Sequence, residues 1–154
     1  MEKYAILLGY FDKQVGMVEK LEKEITPLDL SVWENGYVFA IKTQQFFTAL
    51  EDLFKQITKA FENHIEDLGS YHRELLPRMN TEIPGIRPQV IHQKTFVFLD
   101  KIRAFRHFTW HAYDCELDEK QLVEIQSMIK NGFHLIAADL SQFRQYIHRL
   151  STSQ

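Results

Sequence analysis

The segment Phe105-Arg106-His107-Phe108-Thr109-Trp110-His111-Ala112-Tyr113 places a fixed cation, an imidazole and a phenol within eight residues, Arg106 to Tyr113. A guanidinium can clamp a phosphate through parallel charge-assisted hydrogen bonds. A histidine can move protons near neutral pH. Together Arg106 and His111 suit chemistry on a phosphodiester, and Trp110 offers a face on which a base could stack. Positive charge is concentrated there. Lys101, Arg103, Arg106, His107 and His111 occur from 101 to 113 without an acid, while Asp100 precedes the window and Asp114, Glu116, Asp118 and Glu119 follow it.

Spacing alone leaves several readings open. On an ideal helix Arg106 and His111 point about 140° apart, so one regular helix cannot aim both at one small ligand. A neighbouring element or a second subunit would have to complete the cleft. His107 and His111, four apart, share a face and could hold zinc, but the His-Glu-x-x-His arrangement of a metalloprotease is absent. Alternatively Phe105, Phe108 and Trp110 are core, Arg106 and His107 are solvated, and His111 is a satisfied polar residue. The same arginine-to-histidine spacing recurs at Arg87 and His92. That copy straddles a proline loop, has no tyrosine two residues on, and reads as chance.

The elements that must position these residues read as helices. Apolar residues recur at helical spacing and strand-like alternation is absent. A first helix is expected over roughly Lys3–Glu24, with Ile6, Tyr10, Phe11, Val15, Val18 and Leu21 on its buried stripe. Ser31-Val32-Trp33-Glu34 has the form of a capping box and opens a long helix to about Leu68. Phe39, Phe46, Phe47, Leu50, Leu53, Phe54, Ile57 and Phe61 give that helix its apolar face. Ser70 can cap a short third helix ending between Pro77 and Asn80. The turn-rich run 81–88 is a loop. A fourth helix covers about Val90–Ala112, with Phe96, Leu99, Ile102 and Phe105 inward. Asp118-Glu119-Lys120-Gln121 forms another capping box. It starts a last helix, or a pair broken near Asn131-Gly132, reaching about Leu150. The expected class is all-α, an up-and-down bundle of about five helices.

Composition sets bounds. A chain of 154 residues, 45% hydrophobic, suits one domain spanning 1–154 with a core of its own. The net charge of −3 argues against broad nucleic-acid binding but allows a local basic site. The single cysteine, Cys115, cannot form an internal disulfide, which points to a reducing cytoplasm. No signal peptide or membrane span is visible.

Arg106 to Tyr113 resembles the signature of the HEPN superfamily, arginine then four residues then histidine. The added tyrosine, Arg-x4-His-x-Tyr, is similar to the HepT toxins of HepT/MNT toxin–antitoxin systems. Gly85-Ile86-Arg87-Pro88 before the helix and Tyr113-Asp114-Cys115-Glu116-Leu117-Asp118 after it fit the same family, and the resemblance covers roughly 35–150. It implies a helical dimer that brings two motifs into one cleft, and metal-independent endoribonuclease activity without a cofactor. It implies an antitoxin partner, a nucleotidyltransferase of the MNT kind that can transfer AMP to the tyrosine. Carried onto this chain, Arg106 and His111 are catalytic, His107 is the supporting polar residue and Tyr113 the AMP acceptor. Many members have asparagine where this chain has His107. The alternative within the superfamily is a non-catalytic interaction or nucleotide-binding module that partners a nucleotidyltransferase.

Overall fold

The computed structural model describes the backbone of residues 2–62, 68–111 and 117–153, and the side chains of these except 68–73 and 107–111. The described residues form five helices: α1 (Glu2–Ile25), α2 (Trp33–Phe61), α3 (Leu68–Met79), α4 (Gln93–His111) and α5 (Glu119–Thr152). The all-helical class follows from the sequence pattern as expected, and no strand occurs among the described residues.

Cross-helix pairs give the directions. Gln14 Nε2 donates to Ala49 O at 3.0 Å, and Tyr4 meets Phe61 with ring centroids 5.3 Å apart, so α1 and α2 run antiparallel. Asp12 meets Arg144 and Gln126 Nε2 donates to Ile25 O and Leu28 O, which sets α5 antiparallel to α1. Phe98 lies against Gly132 and His92 against Asp139, setting α4 antiparallel to α5. The four long helices α1, α2, α4 and α5 thus alternate in direction, with the short α3 between α2 and α4. One apolar cluster draws residues from all five helices, from Leu7 and Phe11 in α1 to Phe143 and Ile147 in α5.

The stripe of α1 differs in phase from expectation. Leu7, Phe11, Gln14, Val18, Leu21 and Ile25 are buried, while Ile6 is 66% exposed. Gln14 belongs to the buried line because its amide is satisfied by the Ala49 carbonyl of α2. α5 is continuous through Asn131-Gly132, so the broken pair is not formed. Gly132 lets α4 come close: a Cβ there would sit 3.0 Å from the Phe98 ring.

Several helix ends also depart from expectation. Ser31 does not cap α2; Val32 holds that position without a side-chain bond. The Ser31 amide and hydroxyl both donate instead to Asp29 Oδ1. α2 ends at Phe61, short of Leu68. There Glu62 leaves the helical conformation and its carboxylate meets Arg78 and Arg87. Ser70 lies inside α3 and is not its cap. α4 starts at Gln93, since the Val90 and Ile91 amides both donate to Met79 O. At α5 the expected cap forms: Asp118 Oδ1 accepts from the Lys120 amide.

Candidate functional site

Ile102 and Phe105 fix the rotation of α4. Both are buried, and Phe105 packs edge-on to Phe39 of α2 with centroids 6.0 Å apart. The next residue, Arg106, therefore lies about 100° round the helix, at the border of the core. Its side chain is 35% exposed and forms an ion pair through Nη1 with Glu51 of α2, whose side chain is 13% exposed. The Arg106 Cζ also stands over the Phe47 ring, 5.5 Å from its centroid. Phe47 and Glu51 are one helical turn apart on α2, so an aromatic face and a carboxylate hold one guanidinium from the same helix.

Glu51 is the residue that sequence reasoning missed. It interrupts the apolar run Phe46-Phe47-Thr48-Ala49-Leu50-Glu51-Asp52-Leu53-Phe54, which is a signal of a kind. Neighbouring Asp52 gives the same signal, yet it faces Lys55 at 3.9 Å. The local basicity expected for 101–113 is correspondingly reduced, because Glu51 meets Arg106 and Asp100 accepts from Arg103 Nε at 2.9 Å. Arg106 is thus neither fully solvated nor core.

His111 is the last residue of α4 that the structure describes, and the motif runs two residues further, to Tyr113. The side chains of His107, Trp110 and His111, and the whole of Ala112, Tyr113 and Cys115, lie outside the described residues. The proposed grouping of Arg106 with His111, the supporting role of His107, the acceptor Tyr113 and the His107–His111 zinc alternative therefore stand as sequence readings. Among the described residues, no group of three or more His, Cys, Asp or Glu is placed to hold a metal. No described helix is long and apolar enough to cross a membrane.

The second arginine-to-histidine copy is not one site. Arg87 is fully buried as a side chain and pairs with Glu62. It also donates to the carbonyls of Thr81 at 3.0 Å, Pro88 at 3.1 Å and Arg78 at 3.1 Å. Burial pulls its guanidinium pKa down, and Glu62 opposes that pull. This arginine ties the loop between α3 and α4 to the end of α2. His92 turns instead to Asp139 of α5.

Searches of curated proteins and of solved structures returned no match. A family model described as HepT-like protein matches residues 39–147, from the core face of α2 to the last turns of α5. That span includes Phe47, Glu51, Arg106 and the whole Arg-x4-His-x-Tyr segment. The chain belongs to the HepT-like family of the HEPN superfamily.

Proposed function

We propose that this protein is the toxin of a toxin–antitoxin pair and acts as a metal-independent endoribonuclease. The observation that carries the reading is Arg106. It is held on α4 against Phe47 and Glu51, within the family match and five residues before His111. A guanidinium set in place by packing and by a carboxylate is a preorganised phosphate ligand.

In the proposed reaction the RNA 2′-oxygen attacks the adjacent phosphorus and the bond from phosphorus to the 5′-oxygen breaks. His111 takes the 2′-hydroxyl proton or gives one to the leaving 5′-oxygen. Arg106 binds the phosphate oxygens and offsets the charge that builds on them. His107 supports the proton chemistry. The products are a 2′,3′-cyclic phosphate and a 5′-hydroxyl, and DNA, lacking the nucleophile, is not a substrate. No cofactor is required.

The active form is a homodimer in the cytoplasm, with one domain per chain over 1–154. Trp33, Tyr37 and Ile41 of α2 are exposed apolar side chains, Trp33 at 69%. Trp33 and Glu51 lie about five helical turns apart, hence on one line of α2. An exposed apolar surface on the helix that carries Glu51 suits a second copy that completes the cleft. The regulating partner is an MNT-type nucleotidyltransferase that transfers AMP to Tyr113.

The test is incubation of purified protein with total RNA in EDTA, followed by analysis of the new termini. Cyclic phosphate and 5′-hydroxyl ends are expected. Cleavage that requires a divalent cation, or that leaves 5′-phosphates, would contradict the mechanism. Intact RNA at high enzyme concentration would favour the non-catalytic module.

A further inference from the structure

His92 and Asp139 stand apart from the chemistry proposed for Arg106. His92 precedes α4 and is about 21 Å from Arg106 along that helix, at 1.5 Å per residue. Its ring Nδ1 lies 2.6 Å from Asp139 Oδ1, and its backbone amide donates to Asp139 Oδ2 at 2.9 Å. One carboxylate oxygen suffices to cap the helix. The other is spent on the imidazole, so Nδ1 carries the hydrogen and Nε2 is left for another partner. Asp139 is buried at 8% exposure, whereas the His92 side chain is half exposed.

The pair lines a hollow of about 300 Å³ between the α3–α4 loop and α5, together with Gln89, Gln142, Phe143, Tyr146, Arg149 and Glu82. A wider hollow of about 660 Å³ adjoins it and shares Gln89, His92 and Asp139. Gln89, Gln142 and Arg149 make no side-chain hydrogen bond or ion pair with the described residues, and burial raises the pKa of the Tyr146 phenol while the Arg149 charge pulls it down. The aromatic wall is formed: Phe143 and Tyr146 ring centroids are 5.7 Å apart, and the Tyr146 hydroxyl donates to Ile86 O at 3.1 Å.

These groups converge on one ligand chemistry. Two primary amides each present a donor beside an acceptor, the complement of a nucleobase edge. Arg149 suits a phosphate. The His92 ring, held by Asp139 through Nδ1, leaves Nε2 for a sugar hydroxyl, which can donate or accept. The smaller hollow is at the lower end of the size range of small-molecule sites. We propose that it binds a nucleoside monophosphate, with Arg149 on the phosphate, Gln89 and Gln142 on the base, and His92, positioned by Asp139, on the ribose. The Glu82 carboxylate on the same wall opposes the anion.

The inference does not depend on RNA cleavage. The experiment is calorimetric titration of the full chain with the four ribonucleoside 5′-monophosphates, their parent nucleosides and inorganic phosphate. At least one monophosphate should bind, more tightly than its nucleoside or phosphate alone. Arg149→Ala should weaken it by about tenfold or more, the scale of one charge-assisted hydrogen bond. Because Arg149 is exposed, that variant should keep the wild-type thermal midpoint. Gln142→Ala should weaken monophosphate and nucleoside alike, His92→Gln should weaken the monophosphate, and Glu82→Gln should tighten it. No binding at millimolar ligand would overturn the proposal. So would phosphate binding as tightly as the best nucleotide, or binding lost in Arg106→Ala but kept in Arg149→Ala.

Discussion

Arg106 depends on Glu51, and that dependence separates two roles a carboxylate could have. If Glu51 orients the guanidinium, Glu51→Ala should lower kcat by about 10²-fold, the scale of losing one transition-state donor, with a smaller change in KM. Glu51→Gln, which keeps an oxygen acceptor, should retain most of the rate. If Glu51 merely competed with RNA, both variants would raise activity, and steady-state kinetics on one short RNA distinguishes the two. Because the pair is partly exposed, removing Arg106 should cost only about 1 kcal/mol after solvent screening. Tyr113 permits a second test at this scale. A nucleoside monophosphate on its phenol would add a negative charge and a bulky base beside the motif. Incubation with an MNT-type nucleotidyltransferase and ATP should give a mass gain at Tyr113 together with loss of cleavage. A modified protein with full activity would break that link.

Among the elements, the loop between α3 and α4 has the strongest polar tie. Arg87 is fully buried, with Glu62 and three carbonyls as partners. Removing one member of a buried pair costs about 3 kcal/mol. Arg87→Ala and Glu62→Ala should therefore lower the thermal midpoint by roughly 6–12 °C at this chain size, well beyond Arg106→Ala. Equal midpoints for Arg87→Ala and wild type would contradict that role. The clasp between α1 and α5 is weaker and pH-dependent. Asp12 accepts from Arg144 Nε at 2.6 Å and Nη2 at 2.9 Å. The hydrogen bond from Arg144 holds the carboxyl below its ordinary pKa of 3.8. A carboxyl depressed in the folded state adds stability above its unfolded pKa and loses it as pH falls through the folded one. Wild type and Asp12→Asn should thus differ above about pH 4 and converge in more acid solution. Melting curves from pH 2 to 7 check this.

Across the whole molecule, what could be read in advance depended on distance along the chain. The buried face of α2 was legible because Phe39, Phe46, Phe47, Leu50, Leu53, Phe54 and Ile57 repeat with the helix. The phase of α1 was misread because Gln14 looks polar, and only the Ala49 carbonyl makes it a core residue. The start of α2 slipped for a local reason, since Ser31 bonds back to Asp29 two residues earlier and does not cap the helix. The motif around Arg106 was visible as eight adjacent residues, whereas Glu51 resembles any solvated helical acid until α2 and α4 are packed. A second subunit is invisible to such local patterns. At micromolar concentration the protein should scatter light as a dimer, and Trp33→Asp with Ile41→Asp should shift it towards monomer and reduce cleavage. An active monomer would refute a shared cleft.

The most direct measurement is the single-turnover rate of cleavage of one defined RNA in EDTA by wild type, Arg106→Ala and His111→Ala, each with its melting curve. Both variants should fold and lose at least about 10²-fold in rate, the lower end of general acid–base and phosphate-stabilising contributions. Folded variants that cut the RNA at the wild-type rate would contradict the assignment of Arg106 and His111 as the catalytic residues.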